Sequence, residues 1–212
     1  LDWWLRDLAG DGLDIDAQVL LDVGLEYASC GLVVDALRLF SQAEDREREM
    51  PVLGQPRLGP LVCYHRARLL HGSGRFDDAE AELLRATDAD TAWAFPGRLE
   101  DAATLAWVVE HAPTQAKAWA MWGHWLYAHG RSSEAIYAWE RGGTDDPVVA
   151  RNLGMAAWNH AQDAPAAVRL YDRAIERFET AIRARPAGAA VRRAPRRQVD
   201  EAGCAGRPCR GA

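Results

Sequence analysis

The fold is decided by residues 116–147, which read AKAWAMWGHWLYAHGRSSEAIYAWERGGTDDP. Within this stretch Gly123 is followed after twelve residues by Ala135, after four more by Trp139, and after three more by another glycine. The two small residues allow two helices to pack closely, and the large Trp139 fills the space one turn further on. The turn Gly130-Arg131-Ser132 separates the two segments, so the stretch predicts an antiparallel helix pair.

The same spacing of small and large residues occurs four times along the chain. The four copies are Gly24-Ala36-Phe40-Ala43, Ala67-Ala79-Leu83-Ala86, Gly123-Ala135-Trp139-Gly142 and, with one residue added in the turn, Gly154-Ala167-Tyr171-Ala174. A spacing that recurs along a chain is the sequence signature of a repeat architecture. The sequence therefore predicts an all-α fold made of stacked helix pairs.

These units resemble the motif of the tetratricopeptide repeat family. The residues at motif positions are Trp119, Trp122-Gly123, Leu126, Ala135, Trp139 and Pro147 in the third unit, and Leu20, Val23-Gly24, Tyr27, Ala36, Phe40 and Ala43 in the first. The resemblance covers about residues 16–182. It implies a right-handed superhelix of antiparallel helix pairs, an α-solenoid that binds other proteins on its concave face.

The units are unevenly spaced, and the longest interval leaves room for an extra helix. We expect repeat units near residues 17–50, 60–91, 116–147 and 148–182, preceded by a linker or short helix at residues 1–15. The extra helix is predicted at residues 96–111, because Leu99, Ala103, Ala106 and Val109 share one helical face there. The predicted fold is thus a tetratricopeptide-type α-solenoid of antiparallel helix pairs with one inserted helix.

The last thirty residues follow no repeat pattern. Residues 183–212 contain eight arginines against Asp200 and Glu201. One interpretation is a disordered basic tail, and a second is an off-frame translation of a GC-rich gene. In both cases the last helix lacks the capping helix that solenoids need, so Ile175, Phe178 and Ile182 are expected to be partly exposed.

A narrower resemblance rests on Leu1-Asp2-Trp3-Trp4, on residues 93–100 with the sequence WAFPGRLE, and on Arg151-Asn152-Leu153-Gly154. These segments look like the C-terminal repeat region of a large bacterial family. In that family an uncharacterised β-sandwich domain, similar to sugar-mutarotase folds, precedes the repeats. The resemblance implies that this chain is a fragment of a larger bacterial protein, whose N-terminal domain is missing from the sequence.

Charge and hydropathy disfavour two classes of partner. The net charge is −6, and the basic tail conceals a charge of −12 on residues 1–182. An acidic body repels a phosphate backbone, so we expect no nucleic-acid partner. The longest uncharged apolar run, residues 118–130, is shorter than the roughly 20 residues of a membrane span. We expect a cytoplasmic protein without a membrane partner, and Cys30 and Cys63 as reduced core residues.

Catalytic and metal-binding patterns are missing from the sequence. His124 and His129 are five residues apart, which places them about 140° apart around a helix and prevents them from sharing a metal ion. Neither an HExxH motif, a pair of CxxC motifs, a phosphate loop nor a GxSxG elbow is present. Acidic pairs such as Asp145-Asp146 flank helix starts, where carboxylates stabilise the helix dipole. We expect no enzymatic activity, no metal and no cofactor.

The resemblance to tetratricopeptide repeats implies a set of residues on the concave face, where a partner would bind. The candidate binding residues are Tyr64, His65, Arg68, Lys117, His124, Tyr127, Arg151, Asn152, Met155 and Trp158, with His71 at a further concave position. The first unit offers Gln18, Leu21, Asp22, Leu25 and Ser29 at these positions. Arginine and aromatic side chains dominate binding hot spots, and methionine adapts to varied surfaces. An alternative remains in which part of this set packs on neighbouring helices.

We therefore expect a non-catalytic interaction or scaffold module that binds an acidic or polar protein or peptide in its concave groove. The alternative function is an accessory repeat domain that packs against the missing carbohydrate-related β-sandwich. A further interpretation is self-association through the uncapped last helix.

Overall fold

The computed structural model describes residues 15–49 and 56–184, and the regular structure in these residues is helical. The helices are α1 (Ala17–Ser29), α2 (Val33–Glu49), α3 (Pro60–Gly72), α4 (Phe76–Asp88), α5 (Leu99–His111), α6 (Ala116–Ala128), α7 (Ser132–Gly142), α8 (Pro147–Ala156) and α9 (Ala164–Ala184). A π-helical turn, Ala157–Ala161, continues α8. Residues 1–14 and 185–212, which carry most of the predicted linker and basic tail, lie outside the described residues.

The helices form antiparallel pairs in chain order. α1 packs on α2, α3 on α4, α6 on α7 and α8 on α9, while α2 contacts α3 and α7 contacts α8. Between the second and third pairs, α5 contacts both α3 and α6. The predicted fold class, an all-α tetratricopeptide-type solenoid with one inserted helix, is confirmed.

Close contact between small and large residues holds each pair together. A Cβ atom added at Gly24 would lie 2.6 Å from the Phe40 ring, and one added at Gly123 would lie 2.3 Å from the Trp139 ring. The same contact is looser in the last pair, where a Cβ atom at Gly154 would lie 3.2 Å from Tyr171. The recurring spacing in the sequence is therefore the spacing that brings these backbones together.

Helix starts are fixed by short local hydrogen bonds. The Asp146 carboxylate accepts from the backbone N–H of Val148 at 2.7 Å, and Pro147 occupies the first helical position of α8. Asp16 caps α1 in the same way, by accepting from the backbone N–H of Gln18 at 2.8 Å. These two caps fix where α1 and α8 begin.

The buried core runs as two clusters along the array. The first cluster draws on α1 to α6 and includes Leu21, Phe40, Tyr64 and Leu105. The second cluster lies between α6, α7 and α8, with Trp119, Leu126, Trp139 and Val149. Trp139 is 1% exposed, which confirms that the tryptophan in the large position of this unit is a core residue.

The two cysteines of the described residues differ in environment. Cys63 is buried in α3, and burial raises the pKa of its thiol to about 11. Cys30 is exposed at the C-terminal end of α1, so the prediction that it is a core residue was wrong. The periodicity of apolar residues extended to Cys30, but the helix ends one residue earlier and its cap faces the solvent.

Within residues 15–49 and 56–184, no helix has both the length and the hydropathy that a membrane span requires.

Gly123 offers a direct test of the packing rule. We expect Gly123→Ala to lower the free energy of unfolding by about 1–3 kcal/mol, because the new methyl group overlaps the Trp139 ring. Urea unfolding followed by circular dichroism measures the change. The matched control is Gly72→Ala at the end of α3, where an added Cβ atom meets nothing within 4 Å. Equal stability of the two variants would contradict the packing role of Gly123.

Candidate functional site

The inserted helix α5 starts against the concave positions of the first unit. Its N-cap residue, Arg98, donates from Nη2 to Gln18 Oε1 at 2.8 Å and from Nε to Asp22 Oδ1 at 2.5 Å. Gln18 and Asp22 lie on α1, at the positions that the tetratricopeptide motif assigns to the groove. The arginine therefore ties the start of α5 to the groove side of α1.

The middle of α5 is held on α3 by a buried hydrogen-bond chain. Arg68 donates to Thr104 Oγ1 at 3.3 Å, and Thr104 Oγ1 lies 3.1 Å from His65 Nδ1. His65 Nε2 lies 2.8 Å from Asp101 Oδ1, with a side-chain exposure of 3% for His65 and 0% for Asp101. The second oxygen of Asp101 accepts from the backbone N–H groups of Gly97 and Arg98, both at 2.9 Å.

This network is internally satisfied. Burial acts to raise the pKa of Asp101, but the hydrogen bonds from His65, Arg98 and Gly97 outweigh it and hold that pKa below its ordinary value. With a proton on Nε2 of His65 facing Asp101, Nδ1 accepts from the Thr104 hydroxyl. A buried polar network in which every member is paired fixes one arrangement of the helices it joins.

The end of α5 meets the end of α3 through aromatic rings. The ring of His71 lies 5.2 Å from that of Trp107 and 5.4 Å from that of His111, each in an edge-to-face arrangement. Trp107 and His111 stack on each other at 4.7 Å. The helix α5 thus follows the concave positions from α1 to the last turn of α3, and these positions contact the chain itself.

Three of the candidate binding residues are buried or are bonded to other parts of the chain. Tyr64 is 0% exposed and His65 is 4% exposed, so neither side chain offers a surface to a partner. The ammonium group of Lys117 donates to the carbonyl oxygens of Thr87 at 2.5 Å and Ala89 at 2.6 Å. Lys117 therefore binds the carbonyl groups at the C-terminal end of α4, where the helix dipole favours a cation.

The remaining candidates converge further along the array, on α6 and α8. We define the C-terminal concave patch as Tyr127, Arg151, Met155 and Trp158, above a polar floor of His124 and Asn152. Arg151, Met155 and Trp158 follow one another by four and three residues and share one face of α8 and its π-helical turn. Arg68, the tenth candidate, is exposed on α3 but contacts Thr104 and is not part of the patch.

The floor of the patch is a polar contact between the third and fourth units. Trp139 donates from Nε1 to His124 Nδ1 at 3.1 Å, and Asn152 Nδ2 lies 3.5 Å from the same nitrogen. Asn152 is 5% exposed, and its Oδ1 accepts from Arg151 Nη2 at 2.6 Å. The guanidinium of Arg151 is therefore oriented by a buried amide instead of moving freely.

The rim of the patch is open and aromatic. Tyr127 is 42% exposed and Trp158 is 59% exposed, and the Tyr127 ring lies 5.4 Å from that of Trp139. Trp158 lies in the π-helical turn, which Gln162 closes with a φ of +52°. Single π-helical turns at the end of an α-helix are frequent at functional sites.

Electrostatics keep the floor uncharged. Burial lowers the pKa of His124, the nearby Arg151 lowers it further, and Asp146 only partly offsets both. The N–H of Trp139 points at Nδ1, which accepts a hydrogen bond only when it carries no proton. The exposed cation of the patch is therefore Arg151.

The sequence does not predict the roles of two residues, Trp139 and Asp101. The repeat motif predicts Trp139 as a core residue, and nothing in the motif indicates that its N–H donates to His124 in the floor of the patch. Asp101 was not singled out, although an acid at the third residue of α5 after the N-cap Arg98 fits a capping box. That local signal predicts the bonds to Gly97 and Arg98 but not the partner His65, which lies 36 residues earlier.

Clusters of three or more His, Cys, Asp or Glu side chains that could hold a metal ion are not found within the described part of the chain.

The chain is similar to several solved structures. A crystal structure of MamA is 14% identical, with 76% of this chain and 97% of that chain covered and a TM-score of 0.36. MamA 41-end from Desulfovibrio magneticus RS-1 is 15% identical, with coverage of 77% and 96% and a TM-score of 0.33. The C-terminal part of a TPR repeat-containing protein from Cytophaga hutchinsonii is 15% identical, with coverage of 74% and 64% and a TM-score of 0.32.

No protein-family model matches the chain, and no curated protein matches it. Similarities at this level of identity and TM-score carry no site and no activity. The tetratricopeptide-like architecture rests on the helix pairing of the chain itself.

The Asp101 network can be tested by one isosteric change. We expect Asp101→Asn to lower the free energy of unfolding by about 3 kcal/mol, because the amide cannot accept on both sides and leaves a buried donor unpaired. Urea unfolding measures the loss, and hydrogen exchange should rise in α5 and α3. The control is Glu100→Gln on the exposed side of the same turn. A midpoint equal to that of the control would refute the role of Asp101.

The floor of the patch gives a pH test. The folded pKa of His124 lies below its ordinary value of about 6.5, so folding disfavours protonation. Its contribution to stability is present above pH 6.5 and is lost as the pH falls toward the folded pKa. We expect His124→Gln to lose less stability than the native protein between about pH 7 and 5. The control is Asn159→Gln at an exposed position of the π-helical turn, a change that removes no titrating group and should keep the native pH dependence.

Proposed function

We propose that this chain is a non-catalytic protein-interaction module that binds a polypeptide through the C-terminal concave patch. The observation that carries the proposal is that Tyr127, Arg151, Met155 and Trp158 are accessible on two neighbouring first helices, while α5 fills the earlier part of the groove. A concave aromatic surface with one oriented cation is the usual composition of a binding hot spot.

The patch favours a short segment with both apolar and acidic or polar groups. Trp158 and Tyr127 offer large rigid faces at low cost in side-chain entropy, and Met155 adapts to the shape of the ligand. Arg151 presents a planar fork that pairs with a carboxylate in two parallel hydrogen bonds. We therefore propose an acidic or polar peptide that places an apolar side chain on Trp158 and a carboxylate at Arg151.

The resemblance also supports a proposal about the protein that contains this module. We propose that it is the repeat region of a larger bacterial cytoplasmic protein, with repeat units near residues 17–50, 60–91, 116–147 and 148–182. In that setting the module brings a bound polypeptide to the rest of the protein.

The patch is tested by a double substitution. We expect Arg151→Ala with Trp158→Ala to weaken binding of the partner by at least about 30-fold, since each hot-spot residue contributes about 2 kcal/mol or more. Affinity capture from bacterial lysate with mass spectrometry identifies the partner, and titration calorimetry with the purified partner gives the affinities.

The matched control removes an aromatic residue and an arginine from another helix. Tyr137 and Arg141 are exposed on α7, one turn apart, and Tyr137→Ala with Arg141→Ala should leave the affinity unchanged. Helical content by circular dichroism must be the same in all three proteins. An affinity unchanged in the patch variant would remove the concave patch as the binding site.

A second candidate function is supported by an exposed apolar surface beside the start of α1. Trp93 is 50% exposed, Phe95 60% and Leu99 74%. Trp93 has a φ of +65°, a strained conformation for a bulky residue, and its carbonyl accepts from the backbone N–H of Arg57 at 2.8 Å. The neighbouring Pro56 carbonyl accepts from Gln18 Nε2 in the first turn of α1 at 3.1 Å.

In this second candidate the repeats are an accessory to a carbohydrate-related β-sandwich that precedes them and packs on Trp93, Phe95 and Leu99. A longer gene product that carries such a domain is the material for the test. Trp93→Ala with Phe95→Ala should then expose the interdomain segment to limited proteolysis, with helical content unchanged. An unchanged cleavage pattern would argue against this interface.

A further inference from the structure

The helix α9 carries an apolar stripe that no other described element covers. Val168, Tyr171, Ile175, Phe178 and Ile182 are 57%, 36%, 55%, 41% and 72% exposed. Their spacing of three, four, three and four residues matches the a and d positions of a heptad over two and a half repeats. The stripe therefore has the geometry of one half of a helix–helix interface.

The packing of α9 on α8 uses the face beside the stripe, and Tyr171 belongs to both. Ala167 and Ala174 are 1% and 3% exposed, and the Ala167 carbonyl and the Tyr171 ring are within 3.4 Å of a Cβ position at Gly154. Small residues allow this close approach, and they lie along one edge of the stripe. Val168, Ile175 and Ile182 are more than half exposed, so this part of the stripe faces away from α8.

Earlier units show what covers the equivalent face. Leu83 on α4 is packed against the core, and its carbonyl accepts from Gln115 Nε2 of the next unit at 2.8 Å. Ile136 on α7, which stands where Val168 stands on α9, is packed against the core cluster that includes Val149 of α8. At the α4 junction the covering unit also brings a cation, Lys117, to the carbonyls of Thr87 and Ala89.

The charges along the stripe discriminate between occupants. The edge opposite the alanines carries Asp172, Glu176 and Glu179, and Glu179 accepts from Arg183 at 2.7 Å. Within residues 15–49 and 56–184 no ion pair is formed by Asp172 or Glu176. With Val168 at position a, Asp172 and Glu179 are at position e, where charged residues set the choice and orientation of a partner helix.

A second copy of the chain packed antiparallel on the stripe is a poor fit to these charges. An antiparallel pair of α9 helices centred on Ile175 would set Asp172 of one copy against Glu179 of the other. The symmetry of the pair would repeat this contact, so two pairs of like charges would face each other. Like charges at facing positions destabilise such a pair. A partner helix with lysine or arginine along the facing edge would instead place positive charges against the carboxylates of Asp172 and Glu179.

We propose that the α9 stripe is a docking surface for an amphipathic helix of another protein, with apolar residues at a and d and basic residues along the edge that faces Asp172 and Glu179. This surface is separate from the C-terminal concave patch, so the module holds two partners at once. The proposal does not depend on the proposed function of the patch, because none of the patch residues lies on α9.

Two synthetic peptides probe the stripe on the full 212-residue chain. Each has 21 residues with leucine at a and d, and the two differ only in having lysine or glutamate at e and g. We expect the lysine peptide to bind at least about tenfold more tightly at low salt, with an advantage that shrinks as salt screens the charges. Fluorescence anisotropy of labelled peptides gives both affinities.

Substitutions separate the apolar and the charged contributions. Ile175→Asp should abolish binding of the lysine peptide, whereas Leu84→Asp on α4, at another exposed apolar residue, should leave it unchanged. Asp172→Lys with Glu179→Lys should invert the preference toward the glutamate peptide. All three variants change only exposed positions, and circular dichroism checks that their helical content is kept.

The proposal is overturned by any of three outcomes. Absence of binding by the lysine peptide, or equal binding of the two peptides, would show that the stripe does not select a basic helix. Sedimentation equilibrium that shows a dimer of the chain, dissociated by Ile175→Asp, would assign the stripe to a second copy instead.

Discussion

The buried carboxylate of Asp101 decides how much of the concave face stays open. It draws together His65 of α3 and the first turn of α5, and Arg98 extends the same contact to α1. Because a buried carboxylate without partners is strongly destabilising, the chain has one arrangement here that satisfies it. The inserted helix therefore lies on the motif's groove positions of the first two units, and the candidate residues that remain accessible, apart from Arg68, are on α6 and α8.

The repeat fold was predictable because its determinants are local and periodic. The spacing between Gly123 and Trp139 is a steric rule about two neighbouring helices, and it can be read from one stretch of sequence. The site was only partly predictable. Tyr64 and His65 stand at groove positions of the motif, but both are buried, and His65 bonds to a helix more than thirty residues later, a contact that no periodicity encodes. Lys117 likewise turned to the carbonyl ends of α4 instead of the groove.

The two surfaces proposed for binding differ in physical character. The concave patch combines aromatic faces with a guanidinium oriented by Asn152, above an uncharged imidazole. The α9 stripe is apolar along its centre and acidic along one edge. As proposed, the patch selects by shape and one ion pair, and the stripe by heptad register and charge sign. The patch lies on α6 and α8 and the stripe on α9, so the two proposed partners would bind side by side at the C-terminal end of the array.

The uneven stacking of the helices has a consequence for how the array comes apart. In an ideal solenoid each repeat touches only its neighbours, and stability is a sum over nearest-neighbour interfaces. Here α5 bonds to α1 and α3 and packs on α6, so it links three units across the usual boundaries. The fourth unit is joined to the rest through α7 and the floor of the patch. The first three units thus form one cooperative block, and the last helix pair is the segment that opens first.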